Sequence, residues 1–94
     1  MVSKDRLIGT MEKLSIELNR HHTHSETARF VSQELEVLKK SSGLAFPNKL
    51  QYFFNHAPVV KFSDSISFSE AEKDLWDCVF EYKQLGNYSW IASE

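Results

Sequence analysis

With a single cysteine, Cys78, the chain can form neither an internal disulfide nor a multi-cysteine metal cluster, a usage that fits a reducing compartment. Three glycines and two prolines are too few for a flexible linker or a low-complexity tail. No glycine-rich phosphate loop is present, so nucleotide binding has no support. Long apolar runs are missing too. The longest mostly apolar stretches, 50–54 and 57–62, fall far short of the roughly 20 residues that span a bilayer. The opening MVSKDRLIGTMEKL scatters charges where a signal peptide or anchor would be apolar, and the chain reads as cytosolic. Its 94 residues supply one domain, 1–94, with little room for a deep catalytic cavity.

What is present suits a folded chain: 41% of residues are hydrophobic, 26% charged and 13% aromatic, which argues against disorder. A net charge of −2 lacks the basic excess that neutralises phosphates, so no nucleic-acid partner is expected. The charge is unevenly spread. Residues 1–62 hold nine Lys/Arg against six Asp/Glu, whereas residues 63–94 hold two against seven. Lys39, Lys40, Lys49 and Lys61 are candidates for a basic face toward anionic lipid heads or an acidic partner, set against the plainer reading of a solvated surface.

Periodicity predicts four helical segments. Leu7, Met11, Leu14 and Leu18 recur at steps of four, three and four, with Ile8 at the border and Ser3 as candidate cap. The polar run Asn19 to His24 predicts a loop. A second segment opens at Ser25-Glu26-Thr27 and repeats Ala28, Val31, Leu35 and Leu38, flanked by Phe30 and Val37; Lys39 and Lys40 suit its last turn and Gly43 its stop. Pro47 fits the first turn of a third helix carrying Leu50, Phe53, Phe54 and Ala57. Pro58 must end that helix or kink it, and a kinked continuation is the expectation for 59–62. The fourth helix follows ISFSEAEKDLW, where Ser67 with Glu70 and Ser69 with Glu72 both satisfy capping-box spacing. Its predicted stripe is Ala71, Leu75, Cys78, Tyr82 and Leu85, with Trp76 and Val79 beside it, ending at Gly86. Four amphipathic segments on short connections predict an all-α antiparallel four-helix bundle with a short C-terminal tail.

Chemistry finds little footing in these residues. His21, His22 and His24 crowd one polar loop and His56 lies apart, without metal-ligand spacing or a rigid frame, so no metal and no cofactor are expected. Glu70, Glu72, Asp74 and Asp77 suit the first turns of a helix, and their charge opposes DNA. Neither SSG at 41–43 nor SDS at 63–65 has a nucleophile-base-orienter pattern around it, and Cys78 falls on the predicted apolar stripe, so no enzyme activity is expected. The aromatic distribution says more. Eleven of the twelve Phe, Tyr and Trp residues fall at or after Phe46. Phe53, Phe54, Trp76 and Tyr82 suit a core. Tyr88, Trp90 and Ile91, beyond Gly86, either fold back across the third and fourth helices or form an exposed anchor for a partner or a membrane interface.

The layout resembles the immunity proteins that protect producers of pediocin-like (class IIa) bacteriocins, the enterocin A immunity type among them. The likeness covers most of the chain in helix order. It is carried by FPNKLQYFF after a Lys-bearing second helix, by ISFSEAEKDLW before the fourth, and by the aromatic stretch after Gly86. The resemblance implies a cytosolic four-helix bundle acting by binding, not catalysis, at the inner membrane face. Its implied partner is a membrane permease receptor, the mannose phosphotransferase permease, with bound bacteriocin. The implied partner-binding residues are Lys83, Asn87, Tyr88, Trp90 and Ile91, with the rings placed for a protein-lipid boundary and Lys83 for a positive contact. Pro58 inside the third helix, the eight residues after Gly86 and the His-rich loop depart from the family pattern. The alternative is a small cytosolic helical adaptor or regulatory module that binds a soluble protein through the same aromatic end.

Overall fold

The starts of the second and fourth helices follow from side-chain capping. The computed structural model describes residues 4–82, in which α1 spans Lys4–His21, α2 Glu26–Lys40, α3 Ala45–Asp64 and α4 Glu70–Glu81. The Ser25 side chain caps α2 by accepting the Ala28 N–H at 3.0 Å. Of the two candidate boxes before α4, Ser69 forms the real one: its Oγ accepts the Glu72 N–H at 3.2 Å, while Glu72 Oε1 accepts the Ser69 N–H at 2.7 Å. The candidate cap Ser3 lies outside the described residues.

Each connection turns on one left-handed residue: His24 at φ 74°, Gly43 at φ 58° and Ser65 at φ 56°. Only Gly43 adopts that conformation without a Cβ penalty. α2 itself stops at Lys40, where the Ser41 N–H bonds the Leu38 carbonyl, and Gly43 turns the chain two residues later.

Two boundaries differ from the sequence reading. Asn19, Arg20 and His21 belong to α1 and not to a loop, because their polar side chains find partners along the helix and across it. Asn19 Nδ2 donates to the Ser15 carbonyl at 2.8 Å and to Ser32 Oγ of α2 at 3.0 Å, while Arg20 and His21 both reach Glu17 at 3.3 Å. α3 continues through Pro58 to Asp64, as a bent continuation would require, although Pro58 has no N–H to give the ladder.

The ends of the helices are tied in pairs, and the ties fix the topology. Lys4 Nζ donates to the Ser41 carbonyl at 2.7 Å, joining the start of α1 to the end of α2. The Thr27 N–H donates to Asp64 Oδ2 at 2.9 Å, joining the start of α2 to the end of α3. His22, just past α1, meets Glu72 in the first turn of α4 at 3.1 Å. Neighbouring helices thus run in opposite directions, giving an all-α antiparallel four-helix bundle with α1 between α2 and α4, and α3 on the far side of α2.

The core has two textures. Leu7, Met11, Leu14 and Leu18 of α1 meet Ala28, Val31, Leu35 and Leu38 of α2 in an aliphatic seam, all buried as their spacing predicts. Each such side chain contributes about 1.5–3 kcal/mol on burial. Across α3 and α4 the filling is aromatic. Phe30 stacks on Phe53 at 5.9 Å, Phe53 and Phe54 both reach Phe80 at 5.9 and 5.1 Å, Phe80 stacks on Trp76 at 4.8 Å, and Trp76 meets Phe68 edge-on at 5.2 Å. Phe46, Leu50 and Ala57 complete the inner face of α3.

α4 is rotated from its predicted phase. Ala71 and Cys78 are exposed, Leu75 and Tyr82 are half-buried, and the inward line is instead Glu72, Trp76, Val79 and Phe80. Phe80 sets this phase by docking on Phe53 and Phe54 of α3, with Trp76 stacked on it, and the inward Glu72 carboxylate is met by His22. Leu85 and Gly86 lie outside the described residues.

Candidate partner-binding surface

Lys83, Asn87, Tyr88, Trp90 and Ile91, the partner-binding residues implied by sequence, all lie outside the described residues. The described chain stops at Tyr82, one residue past α4. Where α4 ends, Cys78, Glu81 and Tyr82 form one wall of a groove whose other wall is Arg6, Gly9, Thr10 and Lys13 of α1. A Cβ added at Gly9 would meet nothing within 4 Å among the described residues, so packing there does not require glycine. The sequence reading had no signal for this groove, because it depends on the phase of α4.

The four lysines proposed as a basic face do not gather on one. Lys39 pairs with Glu12 of α1 at 3.2 Å and with Glu36 at 3.6 Å, and the Glu12 hydrogen bond raises its affinity for its proton. Lys61 lies over the Phe68 ring at 4.6 Å, at the opposite end of the bundle. Lys49 lines a cleft between α2 and α3 with Glu34. Burial there pushes the Glu34 carboxyl up, although Lys49 and His56 pull the other way.

One polar cluster sits deep at the end where α1 and α3 finish. The Glu72 side chain is wholly buried, and its Oε1 accepts from both the Ser69 N–H and His22 Nε2, whereas Oε2 has no hydrogen-bond partner among the described residues. Burial opposes its charge, but the Ser69 and His22 hydrogen bonds outweigh that and hold the carboxyl below its ordinary range. Asp64, bonded by the Thr27 N–H, is likewise held low. Of the histidines that crowded one loop, His21 faces Glu17, His22 turns inward and His24 points to solvent. No group of three or more His, Cys, Asp or Glu among the described residues could hold a metal ion.

The outer face of α3 is the surface that sequence reasoning missed. Phe62 is 86% exposed, Val59 62% and Tyr52 48%, and Tyr52 stacks on His56 at 4.0 Å. The signal was available in the composition of the segment, since Tyr52, Val59 and Phe62 are more apolar residues than one buried stripe can use. Among the described residues, no helix is long and apolar enough to cross a membrane. The chain matches no family model, and comparison with curated proteins and with solved structures likewise finds no match.

Proposed function

We propose that this chain is a bacteriocin immunity protein of the pediocin-like class. It acts from the cytoplasm, peripherally at the inner face of the membrane, by binding the mannose phosphotransferase permease that has captured a bacteriocin. It performs no catalysis. Its contacts are Lys83, Asn87, Tyr88, Trp90 and Ile91, which follow in sequence the Glu81 and Tyr82 that line the groove between α1 and α4. The observation that carries the reading is the third helix. Pro58 looked like a departure from a family with a long third helix, yet α3 runs 20 residues through it, inside an antiparallel four-helix bundle.

Expression in a strain sensitive to pediocin-like peptides tests the proposal. The chain should raise survival against at least one such peptide, and Trp90→Ala or Tyr88→Ala should remove the protection while leaving the helix signal intact. Affinity capture should recover permease components only when bacteriocin is present. Unchanged survival against every peptide of the class, or a constant soluble partner, would refute it in favour of an adaptor role.

A further inference from the structure

α3 carries two stripes on opposite sides. The inner one, Phe46, Leu50, Phe53 and Ala57, is buried in the bundle. The outer one, Asn48, Tyr52, Asn55, Val59 and Phe62, advances by four, three, four and three residues, the spacing with which one helix presents a seam to another helix. All five residues are exposed, Tyr52 only about half so because its ring also meets Phe30 of α2 at 6.4 Å. We infer that this outer seam pairs two copies of the chain, α3 against α3 in antiparallel orientation about a two-fold axis level with Ala57.

The occupant is argued from spacing, charge and register. A heptad-like period asks for a helix and not for a flat surface. The seam contains no Asp, Glu, Lys or Arg. An anionic lipid surface or an acidic peptide would be met by cations within the face, and the seam itself has none: Lys61 lies over Phe68, and Lys49 only borders the seam, in the cleft it lines with Asn48, Tyr52 and Glu34. A face without charge can meet its own copy without the like-charge repulsion that an isologous contact otherwise doubles.

Reversing one helix about Ala57 sets Tyr52 opposite Phe62 and Asn55 opposite Val59, and each pair occurs twice. Rings are thus matched with rings, whereas each Asn55 amide lies beside an apolar Val59 and weakens the contact. The area sets the strength. Taking roughly 150–250 Å² for an aromatic side chain, Phe62, Tyr52 and Val59 at their observed exposures offer about 400 Å² per copy. The total, about 800 Å², is below the ~1,200 Å² of a stable interface, so the dimer is weak and concentration-dependent.

Sedimentation equilibrium from about 10 μM to 1 mM reads this directly, a range bracketing weak association. The mean mass should rise from the monomer's 10.9 kDa toward twice that value. Phe62→Glu and Val59→Glu, both at exposed positions, should hold the chain monomeric throughout with an unchanged far-ultraviolet spectrum. Register is tested in a Cys78→Ser background by mixing Tyr52→Cys chains with Phe62→Cys chains, which should cross-link to each other in preference to themselves. A mass fixed at the monomer, a dimer that survives both glutamates, or self-linked Tyr52→Cys chains alone would overturn the pairing. So would a monomer that sediments with phosphatidylcholine–phosphatidylglycerol vesicles through Phe62. None of these measurements involves a bacteriocin, so their failure leaves the proposed function standing, and the reverse holds as well.

Discussion

The α1–α2 seam and the α3–α4 layer solve the same packing problem with different materials. Leu, Met, Val and Ala side chains reach only their immediate neighbour, so the seam is built from residues at helical spacing and nothing else. Rings reach further. The ring contacts that join α3 to α4 pass from Phe53 and Phe54 to Phe80, which Trp76 backs from within α4. The lesson is that aliphatic stripes announce their helix phase in sequence, while an aromatic layer chooses its phase by how rings fit in three dimensions.

Breaking each texture at its centre gives the largest effects. Phe53→Ala removes a buried ring that touches Phe30, Phe54 and Phe80 and should cost about 3–5 kcal/mol, against about 2–5 for Leu14→Ala in the seam. Urea unfolding measures both; a smaller loss for Phe53→Ala than for Leu14→Ala would mean that the aromatic layer closes around the hole.

Next comes the junction at the start of α4. Glu72→Ala removes the capping-box acceptor and the His22 partner together and should cost about 2–3 kcal/mol, whereas Ser69→Ala should cost about 1. Equal losses would show that His22 adds nothing. The same junction gives the pH dependence its sign. The folded-state values of Glu72 and Asp64 are depressed, so their contribution is in place above the ordinary carboxylate values of 4.5 and 3.8 and is lost as pH falls through the lower folded values. Glu34, raised by burial, works in the opposite direction. Thermal melts should therefore decline below about pH 4.5, and the decline should be shallower in Glu72→Ala.

Smaller effects separate the connections. Gly43→Ala should destabilise by about 1 kcal/mol, and Ser65→Gly should stabilise by a few tenths to about 1, because both turn in the left-handed region and only one now does so without a Cβ. The smallest effect sharpens the phase of α4: Cys78→Ser should shift stability by less than about 0.5 kcal/mol, since the thiol is exposed. A loss above about 1 would return Cys78 to the inner face.

Much of the fold was legible beforehand. The aliphatic stripes of α1 and α2 and the inner line of α3 follow from spacing, and Ser25 and the Ser69–Glu72 pair follow from capping chemistry, whereas the few residues after Pro58 carry too short a period to separate a bent helix from an extended piece. Asn19 was misread because its helix propensity is poor and its compensation, the Ser32 hydroxyl, belongs to another helix. Glu72 was misread because a carboxylate at the start of a helix ordinarily faces water, and only the tertiary placement of His22 and Phe68 encloses it. The candidate site, Lys83 to Ile91, rests on resemblance alone and lies outside the described residues, whereas the outer seam of α3 emerges only once the inner seam has been assigned.

The rings that run from Phe30 through Phe53, Phe80 and Trp76 to Phe68 carry one more consequence. Held at fixed mutual angles in an asymmetric setting, such chromophores give near-ultraviolet circular dichroism, a signal distinct from the far-ultraviolet band of the helices themselves. Undocking the second half of the bundle would erase the first signal while sparing most of the second, so two wavelengths distinguish a loosened molecule from an unfolded one.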